Sequence, residues 1–287
     1  MFYIYIALLK YSRNLKNDSR KQVDEMKITF LGTAGGRMVI MTQLRASGGW
    51  ILEMDGERIH VDPGPGALVR ANQFGINLKK LSGMVISHAH TDHYTDAEMI
   101  VESMTNGTRV KRGVVLGNEH SIYGGDDYRP SLSPFHVRLL DKLVVMKPGD
   151  KAKIGKVEVT ATPTKHSEGK ALGFVFRGSQ SLGYTGDSEY FEGQEKHFEG
   201  CEYLVLNVLR PRETNWPKHM NTNQAAKLIS KVRPKVAVLQ HFGMLMIRAG
   251  EANEAKWIEE TTGVKTIAAK DGMTIDFESG KSGVAAR

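Results

Sequence analysis

From Met26 onward the chain alternates short apolar runs with polar or glycine-rich breaks, the pattern of strands joined by turns. Residues 27–31 read as a strand, stopped by Gly32-Thr33-Ala34-Gly35-Gly36. Residues 50–54 and 58–61 flank Asp55-Gly56, a hairpin turn. Ala67, Leu68, Ala71 and Phe74 then fall at helical spacing, with Gly75 as the stop. The apolar run 84–86 is followed by a helix through Glu98 to Met104 that Thr95 or Asp96 can cap. Residues 157–162 alternate, 172–176 and 182–184 form a further hairpin, and 203–208 are a buried strand. Asn221 and Gln224 have capping-pair spacing before a helical face of Ala225, Ala226, Leu228, Ile229 and Val232. A strand at 236–239, a helix from about Glu251 to a stop at Gly263, and a strand at 274–277 complete the series.

Strand runs separated by single helices, with no linker between residues 26 and 280, predict one α+β domain with helices covering sheets. Residues 281–287 read as a frayed tail. Residues 1–25, an apolar start followed by the polar run 10–25, read as an N-terminal extension outside the folded domain, with Met26 as the start of that domain and of the natural protein; the alternative is an amphipathic helix that docks on the domain or a partner. The long polar loop from Gly117 to Pro134 has the composition of a lid or mobile segment. His120 and His136, in or beside it, are expected to be surface or substrate-edge residues, not ligands.

Composition narrows the setting. A chain that is 40% hydrophobic and 25% charged has the balance of an ordinary globular protein. Its single cysteine, Cys201, excludes an internal disulfide and a cysteine-rich zinc site, and fits a cytoplasmic location. The apolar N-terminus lacks the basic lead and cleavage site of a signal peptide, and no run is long enough to span a membrane. A net charge of +7 favours anionic partners, or serves solubility alone.

The candidate chemistry lies in Ser87-His88-Ala89-His90-Thr91-Asp92-His93, directly after the apolar run 84–86. Imidazole and carboxylate are ordinary ligands of zinc and related divalent metals. A strand that ends in a turn can aim all four side chains at one place. His166, Asp187, His219 and His241 recur at or soon after strand ends. Together these groups supply what a two-metal site needs.

The motif His88-x-His90-x-Asp92-His93, followed in order by His166, Asp187 and His241, resembles the metallo-β-lactamase superfamily over essentially all of residues 26–280. The resemblance implies a four-layer αββα sandwich with two divalent ions at one edge. Zinc is the first expectation, and manganese and iron suit the same ligands. By position, His88, His90 and His166 resemble the ligands of one metal and Asp92, His93 and His241 those of the other. Asp187 resembles the bridging carboxylate, and Asp62 the aspartate that orients the histidine loop. The ribonuclease Z-like and phosphodiesterase branch is nearest. Leu31 to Gly36 resembles its opening loop, Asp62-Pro63-Gly64-Pro65-Gly66 its turn before a helix, and His219 with Asn221, Thr222 and Gln224 its last histidine motif.

The function so implied is hydrolysis by a metal-bridged hydroxide of a phosphodiester in a nucleotide or at a nucleic-acid end, with Asp92 and His219 catalytic. His219 would protonate the leaving oxygen; the bland alternative is that it only caps the following helix. Arg210, Arg212 and Trp216 are candidates for the substrate edge, or a solvated loop. The chain departs from the branch in lacking a long glycine- and proline-rich arm between Asp187 and His219, and in having Thr91 where the family usually has glycine. The rival activity is hydrolysis of a lactone, ester or thioester; an iron-based oxidoreductase or inactive binding protein is the third. Partners expected are an anionic small molecule or nucleic acid, with a homodimer left open.

Overall fold

A computed structural model describes residues 26–125 and 127–284. The expected N-terminal extension, 1–25, and the end of the expected tail, 285–287, lie outside the described residues. The first sheet contains β1 (Lys27–Phe30), β2 (Trp50–Met54), β3 (Glu57–Val61), β4 (Gly83–Ile86), β5 (Val114–Gly117) and β6 (Lys142–Val145). The late strands β15 (Met273–Asp276) and β16 (Ser282–Val284) join it, in the order β16-β15-β1-β2-β3-β4-β5-β6. The second sheet contains β7 (Lys151–Ile154), β8 (Val157–Pro163), β9 (Leu172–Arg177), β10 (Ser181–Tyr184), β11 (Tyr203–Arg210), β13 (Val236–Gln240) and β14 (Lys265–Ala268). Its order is β14-β13-β11-β10-β9-β8-β7, and the two-residue β12 (Met220–Asn221) pairs beside β11.

The twofold period of the strands sorts their side chains between layers. On β2, Trp50, Leu52 and Met54 enter the core between the sheets, while Ile51 faces the outer core of the first sheet. On β11, Tyr203 and Val205 face inward, while Leu204, Leu206 and Val208 pack with the helices Thr222–Val232 and Glu251–Thr262. The helices Ala67–Gln73 and Ala97–Met104 cover the first sheet. The layers are therefore αββα. Trp50 centres the middle layer, edge-on to Phe176 and Tyr184 at 6.0 and 5.4 Å between ring centres.

Strand direction decides where the polar residues gather. β3, β4, β5 and β6 are parallel, and so are β10, β11, β13 and β14. β8 shares the direction of β10, because each is antiparallel to β9. The carboxyl ends of these strands, with the residues that follow them, collect at one edge of the sandwich, where such folds place ligands.

Several local expectations change. The stretch 281–284 is not frayed: β16 pairs with β15 through Ser282, Gly283 and Val284. Asp96 occupies the N-cap position of Ala97–Met104 but caps nothing there; its Oδ2 accepts from the Leu68 amide at 3.1 Å. The region 117–134 is not one open loop, since Asn118 caps a short helix, Glu119–Tyr123, and Gly125 exchanges backbone bonds with Tyr128. The short helix Arg37–Thr42 gave no sequence signal, being too brief to show a period.

The Asn221–Gln224 pair forms a full capping box: the Asn221 side chain accepts from the Gln224 amide at 2.9 Å, and Gln224 Oε1 accepts from the Asn221 amide at 3.3 Å. Asn221→Ala should therefore destabilise the protein by about 1 kcal/mol, within a range of roughly 0.5–2 kcal/mol. Urea unfolding is the measurement, and an unchanged midpoint would deny the box its energetic role.

Candidate metal centre

Asp62 follows β3 directly, and residues 87–93 follow β4. The two stretches meet through one carboxylate. Asp62 Oδ1 accepts from the Ser87 amide at 2.7 Å, and Oδ2 accepts from Ser87 Oγ at 2.8 Å and from Tyr184 Oη at 2.7 Å. His93 Nδ1 lies 2.9 Å from the same Oδ2, which leaves its Nε2 turned to the centre. Gly64 lets this turn approach the histidine segment closely: a Cβ there would stand 1.9 Å from the Asp92 carbonyl oxygen.

The structure brings His88, His90, Asp92, His93, His166, Asp187, His219 and His241 into one cluster, in overlapping groups whose donor atoms lie within 4.8 Å of one another. His90 Nδ1 is 3.0 Å from His88 Nε2 and 3.1 Å from His166 Nε2. Two ligands of a tetrahedral zinc ion would stand roughly 3.3–3.4 Å apart, from zinc–nitrogen distances of about 2.0–2.1 Å. Around the second group, Asp92 Oδ2 is 3.5 Å from both His93 Nε2 and His241 Nε2. Asp187 lies between the groups: Oδ2 is 4.0 Å from His166 Nε2 and 3.6 Å from His93 Nε2, and Oδ1 is 3.4 Å from His241 Nε2. His219 Nδ1 reaches Asp187 Oδ2 at 3.6 Å, and its ring stacks on that of His241 at 12°.

These residues fit divalent cations. His93 Nε2 and both ring nitrogens of His241 are buried without a hydrogen-bond partner, a costly arrangement unless another group binds them. Burial pushes the Asp187 carboxyl up, but the imidazoles of His241 and His93 hold it well below the usual carboxylate range. Asp92 is likewise raised by burial and lowered further by His93 and His241. Burial lowers His93, yet Asp92, Asp187 and Asp62 together raise it well above an ordinary histidine. His88 and His90 go the other way: burial and neighbouring imidazoles push both down, His90 to about 4. The result is two carboxylates held in their ionised form, beside imidazoles of which His88 and His90 favour the neutral state and His93 keeps its proton until a cation competes for it, a donor set that suits a divalent cation.

His241 has a left-handed backbone, φ 63°, as does Asp62 at φ 55°. Such conformations cost of order 1–3 kcal/mol and persist where surrounding bonds overdetermine them. The turn after β1 supplies those bonds: the Phe242 amide donates to the Thr33 carbonyl and the Gly35 amide to the Phe242 carbonyl. A Cβ on Gly35 would lie 2.5 Å from His241 Nδ1. The glycine-rich loop 32–36 thus supports His241.

The remaining candidates separate. Trp216 is 53% exposed and lies on the turn before His219, joined to it by a backbone bridge, with the Arg210 guanidinium 4.7 Å from its ring centre. Arg212 does not face this side; Glu254 holds it at 3.1 Å, over the Trp257 ring. His136 is no surface residue. It is buried between Glu98 and Glu102, on the helix covering the first sheet. His120 bonds to the buried Glu168 and stacks on Tyr128, whose ring centre is 6.2 Å from that of His90.

Sequence reasoning missed a buried polar chain behind the cluster. Asn207 Nδ2 donates to Asp187 Oδ1 at 2.6 Å and lies 3.1 Å from Tyr184 Oη, while Gln240 Nε2 donates to Asn207 Oδ1 at 2.7 Å. The available signal was Asn207 itself, an amide within the apolar run 203–209.

The family model for the beta-lactamase superfamily domain matches residues 57–242. An uncharacterized protein of Methanocaldococcus jannaschii is 36% identical over 259 residues, covering 89% of this chain and 97% of that one. Ribonuclease Z of Thermococcus kodakarensis is 21% identical over 313 residues, covering 89% and 96%. Among solved structures, the metallo-beta-lactamase fold protein YhfI of Bacillus subtilis superposes with a TM-score of 0.73 at 19% identity, over 91% of this chain and 100% of that one.

Asp62→Ala would leave the Ser87 amide, Ser87 Oγ, Tyr184 Oη and His93 Nδ1 without their common partner. The expected loss is about 3–5 kcal/mol, as for a broken buried charge pair, together with loss of bound metal. Thermal unfolding and metal analysis of the same sample read both, and a variant with unchanged metal content would refute the orienting role.

Proposed function

The chain belongs to the metallo-β-lactamase superfamily, near its ribonuclease Z-like branch, and we propose on that footing that it is a binuclear metal-dependent hydrolase of phosphodiesters. His88, His90 and His166 would hold one divalent cation, and Asp92, His93 and His241 the other, with Asp187 shared between them. Bound there, the cations would supply positive charge for a phosphoryl oxyanion and acidify a water to a nucleophile near neutral pH. Asp92 Oδ2 is the acceptor available to hold that water's proton.

The observation that supports the phosphodiester reading is His219, a partly exposed histidine 3.6 Å from Asp187 and additional to the seven ligands assigned above. An alkoxide leaving group needs a proton or positive charge, and the imidazole lies where it can supply one. Burial pushes His219 down to about 4, while the Asp187 carboxylate pulls the other way. A substrate phosphate beside the ring would add a second anion that opposes the effect of burial. Proton donation by His219 would therefore depend on substrate binding. The exposed Trp216 edge, with Arg210 against it, supplies an apolar and cationic flank next to the same histidine. A net charge of +7 also favours an anionic substrate.

His219→Ala should lower turnover of a phosphodiester by about 10²- to 10⁴-fold without removing metal. Steady-state kinetics with metal analysis tests this. Unchanged turnover would eliminate the acid role, and loss of metal would make His219 a ligand instead. Parallel assays on phosphodiesters and lactones test the substrate class, and faster lactone hydrolysis would reject the phosphodiester assignment.

A further inference from the structure

Two aromatic side chains flank the cluster from different segments. Trp216 belongs to the turn that His219 closes, its amide donating to the Trp216 carbonyl at 3.2 Å. The Trp216 ring is 53% exposed, and the Arg210 guanidinium lies against it at 4.7 Å. Among the described residues no carboxylate pairs with Arg210, and its Nε is buried without a hydrogen-bond partner. Glu254 holds Arg212, two residues on, so Arg210 keeps the charge that its neighbour has spent.

Tyr128 stands at the opposite flank, beside His90. Its position is fixed from two sides. Its backbone exchanges two hydrogen bonds with Gly125. Its ring stacks on His120 at 24° and 5.2 Å between centres. His120 is in turn bonded to Glu168, a buried carboxylate whose other oxygen accepts from Asn118 Nδ2 at 2.9 Å. A buried glutamate spent on orienting a rim histidine is expensive unless the ring it supports has a task. The rings run in sequence across the cluster: Tyr128 beside His90, His90 beside His166 at 4.9 Å, and His166 beside His219 at 4.9 Å, and the backbone of Trp216 bridges to that of His219.

We infer that Trp216 and Tyr128 are stacking platforms for the nucleobases on either side of the scissile phosphodiester, so that the substrate is a nucleic-acid end or dinucleotide. This deepens the phosphodiesterase reading and rests on it. Every base offers a π-face to an aromatic ring, and Arg210 behind Trp216 adds a cation near the strand's backbone. A phosphodiester without bases would meet the same catalytic groups but neither platform.

The test compares a dinucleoside monophosphate with its counterpart lacking both bases, on the metal-loaded protein. The wild type should favour the first in kcat/KM by at least tenfold. Trp216→Ala and Tyr128→Leu should each reduce that preference by about 5- to 150-fold, the range for losing one base–aromatic stack, or abolish a smaller one. Trp216→Phe and Tyr128→Phe should retain most of it. Tryptophan emission gives a second reading: a non-hydrolysable phosphorothioate dinucleotide should quench the wild type and not Trp216→Ala. Equal hydrolysis of both substrates by the wild type, or undiminished quenching of Trp216→Ala, would overturn the stacking inference while leaving the phosphodiesterase reading intact. Hydrolysis of no phosphodiester would overturn that reading itself.

Discussion

The carboxylate of Asp62 ties the two halves of the sandwich together at the edge where the donor groups meet. Its oxygens bind Ser87 and His93 after β4 of the first sheet, and Tyr184 on β10 of the second. Tyr184 passes the connection to Asn207 on β11, and Asn207 to Asp187 and Gln240. The hydrophobic layer between the sheets is strong but non-directional, and it would tolerate small sliding of one sheet over the other. Donors that must sit within a few tenths of an ångström of a common ion need a directional constraint. The buried polar chain supplies it, because each member would be left unpaired by a slip and an unpaired buried group costs about 1–3 kcal/mol.

That constraint explains which parts of the centre were legible in the chain. The compact motif His88 to His93, and the isolated His166, Asp187 and His241, could be read because polar residues end apolar runs at strand termini. The layers were legible for the same reason, since a period of two sends alternate residues of β2 and β11 to different cores. The support network was not. Tyr184 ends an apolar strand and reads as core, while Asn207 and Gln240 have no local pattern that names their partners. Nor could the chain reveal that Asp96 turns to Leu68 instead of its own helix, or that Arg212 turns to Glu254. In each case two partners compete for one side chain, and the winner depends on elements distant in sequence.

Charge in the centre has a direction as well as a sum. His93 is held protonated by three carboxylates, while His88 and His90 are held neutral by burial and by their fellow imidazoles. A cation bound near Asp92 and Asp187 would compete with the proton on His93, whereas burial disposes His88 and His90 to present neutral nitrogens. His93 on one side and His88 and His90 on the other therefore carry opposite shifts within one cluster. Asp62 keeps the difference in place, since its contact with Nδ1 leaves Nε2 as the His93 atom that faces the cluster.

The sequence between Asp187 and His219 carries this argument out to the substrate. It holds a short helical turn, Gln194–Phe198, then β11 and the turn that bears Trp216, with no projecting arm among them. Under the nucleic-acid reading proposed above, the described residues of this stretch offer no grip at a distance from the cluster. Whatever affinity it has must arise within reach of the scissile bond, from groups that the fold already holds stiff. Arg210, Trp216 and Tyr128 meet that requirement at low entropic cost, because each is fixed by a neighbour before any substrate arrives: Arg210 by the indole, Trp216 by its turn with His219, and Tyr128 by His120 and Glu168. A site built this way would discriminate by what lies immediately beside the phosphorus.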